Sequence, residues 1–329
     1  MEGARLHYID VAKGILILLL LVSHFGILTN HAGMDNSRFV IMFYFQPLFT
    51  TFFMQCFFFI TGYCTNFATA LKPYLFKQLK QLVIPWLFFE LLNEFFFRQG
   101  LFWDEFLENG VYTTFWFLNA LLFAKIVCWF LSRCIKSQWL SILITILMLI
   151  GGIALCQFDV GRNILCIRQS LASCFFVQLG QFMRYHDQIY RMFIKYAWGG
   201  YLFLFIIAYI GNFAFAIPII DGGFDSKLSQ TPILLLVPIL GIFAFLRLCH
   251  IIESNKFLEY FGKNSIVIYC IHIVPYICII KFLKSYYIPN DLFTAMLFFI
   301  IAYLAEIVTM AIIIKCFNYV PLKYVIGKW

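Results

Sequence analysis

Long apolar runs alternate along this chain with short polar clusters. Nearly every run is about 20 residues long, the length an α-helix needs to cross bilayer hydrocarbon at a rise of about 1.5 Å per residue. The pattern predicts ten helical spans, at roughly 9–29, 40–63, 81–98, 111–131, 138–156, 164–183, 195–217, 231–250, 264–284 and 292–316. The connections are too short for a soluble domain, and no repeat or low-complexity segment interrupts them. Residues 1–329 therefore read as a single all-α integral-membrane domain. The segment 99–110 is amphipathic and is expected to lie along the outer surface.

Composition agrees. Hydrophobic residues make up 63% of the chain, aromatic residues 20% and charged residues 12%. A soluble protein carries about 25% charged residues, and the mean hydropathy here is +0.88. The net charge of +8 suits basic loops beside anionic lipid rather than nucleic acid, because no basic stripe lies in a solvated context. Loop charges also set an orientation. Arg5, Lys72, Lys77, Lys80, Arg133, Lys136, Arg184, Arg191, Lys195, Lys256, Lys263, Lys315, Lys323 and Lys328 fall on one side. Arg38, Arg98, Arg162, Lys227 and Lys284 fall on the other, with Asp104, Glu105, Glu108, Asp221 and Asp225. The positive-inside rule then puts both termini in the cytoplasm, as an even number of spans requires. The first apolar run is too long for a cleavable signal peptide. The 11 cysteines form no CxxC pair and no metal-ligand spacing, so they read as packing residues, with no metal and no disulfide framework.

Ionisable groups within hydrocarbon cost at least ~2.5 kcal/mol each, so they face a cavity or a partner. The first span carries Asp10, Lys13 and His24. Lys13 and His24 are about three turns apart, and Asp10 precedes Lys13 by one, so the three share a face. The bland reading is snorkelling at the helix end for Asp10 and Lys13, and an interhelical bond for His24. The sharper reading is a site. Lys77 and Lys80, expected as i, i+3 helical neighbours, read either as an anion site or as a positive-inside flank. Glu90, Asn93 and Glu94 lie on one face of the third span. Trp116, Asn119 and Lys125 lie in the fourth, and Arg168 in the sixth. A Glu90 or Glu94 pair with Arg168 is the structural alternative to a pocket. The ninth span puts Tyr269 and His272 one turn apart near mid-membrane. No P-loop, dinucleotide fingerprint or GxSxG motif is present. Nor is there the paired pattern of broken helices that marks inverted-repeat transporters.

Several of these segments together resemble the integral-membrane acyltransferase family 3, which O-acylates bacterial surface glycans. Tyr8-Ile-Asp10-Val-Ala-Lys13, the ten residues from Gly14 to Ser23, and His24 resemble that family's basic-x10-His signature. Phe57-Phe-Phe-Ile-Thr-Gly62-Tyr63 resembles the end of its second helix. Lys77-x-x-Lys80 before Ile84-Pro85 stands where the family has an Arg pair. Trp116-Phe-Leu, and Phe261-Gly-Lys-Asn264-Ser265 through Tyr269-x-x-His272, match two later segments. Lysine replaces arginine at positions 13, 77 and 80, which keeps the charge and loses the bidentate fork.

The resemblance implies a multi-pass protein of a bacterial plasma (inner) membrane. It implies a cytoplasmic acyl-CoA donor, commonly acetyl-CoA, with no bound cofactor, and a glycan or lipid-linked sugar acceptor. On this reading Lys13, Lys77 and Lys80 hold the donor, Asp10 orients Lys13, and His24 is base or transient acyl carrier. Glu90, Trp116, Asn119, Arg168, Tyr269 and His272 line the acceptor pocket. Rival readings are a transporter or flippase of glycan intermediates, a non-catalytic sensor or assembly subunit, and a different membrane acyltransferase fold using an Asn/His pair.

Overall fold

The computed structural model describes residues 6–35, 39, 45–97, 115–158, 166–215, 228–319 and 322–327, side chains at 93–97, 208–215 and 230 aside. All regular structure among them is helical. The main helices are α1 (His7–His31), α2 (Phe53–Cys64), α3 (Leu71–Gln78), α4 (Ile84–Phe97), α5 (Trp116–Cys134), α6 (Gln138–Gln157) and α7 (Ile167–Tyr185). They continue with α8 (Asp187–Phe215), α9 (Thr231–Ile252), α10 (Lys256–Lys263), α11 (Ser265–Ile271), α12 (Ile273–Tyr286) and α13 (Leu292–Phe317).

A helix stands at each of the ten expected positions. Among the described residues, six stretches are long and apolar enough to cross a membrane: His7–His31, Pro47–Cys64, Trp116–Cys134, Gln138–Gln157, Thr231–Ile252 and Leu292–Phe317. The expected span at 264–284 is instead a bent pair, α11 and α12, turned by 57° at His272. Pro275 explains the bend. It has no N–H to give the carbonyl of Ile271, and its ring crowds that carbonyl. The amphipathic segment expected at 99–110 lies outside the described residues.

Within the chain, contacts divide two compact units, 1–50 with 249–326, and 51–248 with 327–329. In the first, α12 runs beside α1 in the same direction, with His24 by His272, Phe25 by Tyr276 and Ala32 by Lys284. α10 runs the opposite way against the N-terminal part of α1, and the two meet backbone to backbone. A Cβ on Gly14 would lie 2.0 Å from the Leu258 carbonyl oxygen, and one on Gly262 would lie 1.9 Å from that of Asp10. At the other end α1 stops at Gly33, whose φ of +70° suits the residue just past a helix. Lys284 Nζ there donates to the carbonyls of Ala32 and Gly33, both at 2.8 Å. A cation on helix C-terminal carbonyls is also favoured by the helix dipole. α13 runs back along α1, with Phe299 against Phe25 (centroids 4.9 Å apart) and Tyr303 Oη donating to the Leu18 carbonyl at 3.2 Å.

In the second unit α7 is central and packs against α2, α5, α6 and α8. Every residue from Ala172 to Met183 is buried. Such a helix meets protein on all faces, so it can carry Ser173, Gln178 and Gln181 and still sit at membrane depth. Gly180 and Gly62 let α7 and α2 touch: a Cβ on either would fall within 2.0 Å of a carbonyl oxygen, that of Phe59 or Val177. Small residues allow the same close approach between membrane helices generally. Between α3 and α4 the helix widens into a π turn, Leu79–Val83. Pro85 accounts for it, since its ring would crowd the carbonyl of Gln81 in a regular helix.

Candidate active site

The first unit holds five of the sequence-derived residues, Asp10, Lys13, His24, Tyr269 and His272, and brings two of them, His24 and His272, into ring contact. His24 sits on α1 one turn beyond Leu20, and its Nδ1 is 3.0 Å from the Leu20 carbonyl oxygen. A carbonyl only accepts, so Nδ1 carries the proton and Nε2 carries the lone pair. Ser23 helps hold the ring, its Oγ 3.3 Å from Nδ1 while donating to the same carbonyl at 2.8 Å. Gln46 Nε2 donates to the Ser23 carbonyl at 3.0 Å.

His272 stands at the bend between α11 and α12. Its Nδ1 lies 3.0 Å from the carbonyl oxygens of both Ile268 and Tyr269. The same argument puts the proton on Nδ1 and the lone pair on Nε2. That Nε2 has no hydrogen-bond partner among the described residues, although the side chain is 2% exposed. The two imidazoles meet edge to face, with centroids 4.9 Å apart and planes at 74°.

The polar track continues to residues that the sequence reading passed over. Tyr276 is one turn beyond His272 on α12, its amide donating to the His272 carbonyl at 3.1 Å. Its ring is fully buried, and Oη has no partner among the described residues. Glu306 on α13 is an electrostatic neighbour of Tyr276. Glu306 is 0% exposed, and neither carboxyl oxygen has a partner among the described residues. A buried carboxyl left so is costly unless a ligand, a water or a retained proton satisfies it. The sequence did carry a signal, because Glu306 is the one acid within the apolar run 292–314.

Near the N-terminus of α1, Lys13 Nζ is 4.0 Å from Asp10 Oδ1. That is a loose i, i+3 pair, with Asp10 buried and Lys13 part-exposed. One turn of α10 away, Glu259 is gripped by three donors: Ser254 Oγ at 2.7 Å, Lys263 Nζ at 2.9 Å and His7 Nδ1 at 3.0 Å. The Ser254 hydroxyl, then Lys263, hold its carboxyl down to about 2. Tyr8 stacks on His250 at 3.8 Å.

The other candidates belong to the second unit. Lys77 is exposed on α3, whereas Lys80 lies in the π turn with its ammonium 4.5 Å from the centroid of the Phe76 ring. They stand three residues apart in one continuous helix, on either side of the point where α3 passes into the π turn. Glu90 and Asn119 are buried. Trp116 opens α5 beside Phe58, centroids 6.5 Å apart. Arg168 is half-buried in the first turn of α7, just after Cys166, whose φ is +55°. The Glu94 side chain lies outside those described, so its pairing with Arg168 does too.

A pair of histidines presenting lone pairs inside an apolar bundle suits proton abstraction from a hydroxyl, or attack on an activated carbonyl. The family model described as an acyltransferase domain, Acyl_transf_3, matches residues 6–315. No curated protein and no solved structure matches the chain significantly.

Proposed function

Since the chain belongs to acyltransferase family 3 and is a multi-pass membrane acyltransferase, we propose that it moves an acyl group from cytoplasmic acyl-CoA to a glycan hydroxyl, with His24 as the group that does the chemistry. The acyl group of this proposal is acetyl, and the acceptor is a cell-surface or lipid-linked sugar of a bacterium. The observation that supports it most is the His24–His272 contact, in which backbone carbonyls fix both rings with Nε2 as the basic atom.

In the proposed reaction, His24 Nε2 takes the proton of the acceptor hydroxyl as its oxygen attacks the thioester carbonyl. The tetrahedral intermediate collapses, the C–S bond breaks, and the leaving thiolate of CoA takes the proton back from His24. Acyl-His24 formation would start from the same lone pair. The neighbouring His272 fixes the ring of His24 by edge-to-face packing. Tyr276 and Glu306 extend the buried polar groups beyond His272. Lys13 supplies a cationic partner for the donor's phosphates, and Asp10 orients it. Tyr269 serves the acceptor side. Ten spans with both termini in the cytoplasm would let a membrane-deep histidine meet a donor from one side and an acceptor from the other.

The test is purified full-length protein given acetyl-CoA labelled in the acetyl group and candidate glycans. The proposal expects free CoA thiol and labelled glycan in equal amounts. Glycan movement across vesicles with no thioester consumed would support a transporter instead.

A further inference from the structure

A cleft of about 200 Å³ opens in the second unit between α5, α6 and α7. It lies at the end of α6 that begins with Gln138, on the side that the loop charges assign to the cytoplasm. Two cations line it. Arg133 is fixed there, its Nη2 donating to the carbonyls of Ala68 and Thr69 and its guanidinium over the Trp129 ring. Lys136 is exposed at the rim. The 20-residue α6 adds the positive end of its dipole and the backbone N–H groups of its first turn, apart from that of Leu140, which Ser137 Oγ accepts at 3.3 Å.

A second observation points to a ligand. Gln178 on α7 lines the cleft, is 2% exposed, and its Oε1 has no partner among the described residues. Gln138 Oε1, at the mouth, is in the same condition. One turn on from Gln178, Gln181 is engaged: its Nε2 donates to Ser132 Oγ at 2.8 Å, and that hydroxyl donates to the Cys128 carbonyl at 2.7 Å. The cleft thus combines cations and helix N–H groups with two side-chain carbonyls that want a donor. A phosphate beside hydroxyl groups meets both demands.

The outer surface of α6 says what such a ligand is attached to. Trp139, Leu143 and Leu147, spaced one turn apart, are 63%, 52% and 59% exposed and form an apolar stripe starting at the cleft. Trp139 packs on Phe182 with centroids 4.6 Å apart, the placement of an aromatic residue at a membrane interface.

We propose that this cleft is a binding site for an anionic phosphoglycerol lipid. The phosphate lies on Arg133, Lys136 and the α6 N-terminus, the glycerol hydroxyls donate to Gln178 and Gln138, and the acyl chains lie along the Trp139 stripe. The site is independent of acyl transfer and is read by binding alone.

The experiment is native mass spectrometry of the full-length protein in detergent. The probes are phosphatidylglycerol, phosphatidylcholine of the same chains, and soluble glycerol 3-phosphate. Phosphatidylglycerol is expected to stay bound in preference to phosphatidylcholine. Lys136→Ala should weaken it about fivefold, the weight of one basic side chain at an anionic lipid. Gln178→Leu should lower it further while Lys256→Ala leaves it unchanged. Equal retention of the two lipids, or no effect of Lys136→Ala, would overturn the proposal. So would glycerol 3-phosphate binding as tightly as the lipid, which would assign the cleft to a soluble phosphate. Lys136 is exposed, so its replacement does not threaten the fold.

Discussion

The imidazoles of His24 and His272 touch edge to face, 4.9 Å between centroids, although 247 positions separate them in the sequence. Each ring is held by backbone carbonyls of its own helix, at Leu20 for one and at Ile268 and Tyr269 for the other. His272 stands at the 57° bend itself, three residues before Pro275. Removing the His272 ring leaves His24 its own tether but not its wall. His272→Ala is expected to lower kcat by about 10²-fold, the smaller end of what general-base positioning contributes, with donor KM little changed. His272→Phe, which keeps the packing, should recover part of that loss. An unchanged kcat in His272→Ala would separate the two rings functionally.

Glu306 gives a complementary test. An apolar replacement of a buried, partnerless carboxyl is generally neutral or stabilising. Glu306→Met is therefore expected to hold or raise the melting temperature in detergent while cutting turnover about 10²-fold. Retained turnover in Glu306→Met would make Glu306 a passenger of the fold.

The crossing of α1 and α10 predicts a contrast between two glycines. Gly14→Ala would force a Cβ to within 2.0 Å of the Leu258 carbonyl oxygen, backbone that cannot swing aside. Overpacking of this kind costs about 1–3 kcal/mol. Gly151→Ala meets nothing within 4 Å, so the usual helix gain of about 0.5–1 kcal/mol over glycine should appear. Melting of the two variants checks this: one should fall and the other hold or rise.

Much of this was legible beforehand. Run lengths near 20 residues locate the helices, because a membrane span must satisfy its own backbone. Asp10, Lys13, His24 and His272 stood out because charge is rare in such runs. What was not legible has physical reasons. The bend at His272 and the π turn before Ile84 both follow from prolines, but a proline in a membrane helix does not announce how its neighbours will adjust. Glu306 and Tyr276 sit in apolar surroundings, and only the packing of α13 against α12 shows them facing inward. The polarity of α7 hid its central place, because hydropathy reads lipid exposure and α7 meets protein. Gln178 likewise became informative only when its neighbour Gln181 was seen to be engaged with Ser132.

The grip of Ser254, Lys263 and His7 on Glu259 has a pH signature. Glu259 lies on α10, outside the spans, and its carboxyl is depressed from the ordinary 4.5 to about 2. A depressed acid stabilises the folded state above its unfolded value. That contribution is full above about pH 4.5 and is lost as pH falls toward 2. Thermal melts between pH 6 and pH 2.5 should show a decline for the native protein that is shallower for Glu259→Gln. Parallel curves would remove Glu259 from the account of acid stability.

The central claim is that His24 Nε2 does the chemistry. The most direct measurement is transfer of labelled acetyl from acetyl-CoA to glycan by purified His24→Ala beside the native protein, with equal insertion and melting temperature verified for both. The account predicts loss of transfer to the background level in His24→Ala with acetyl-CoA binding retained. Transfer at the native rate by a well-folded His24→Ala protein would contradict it.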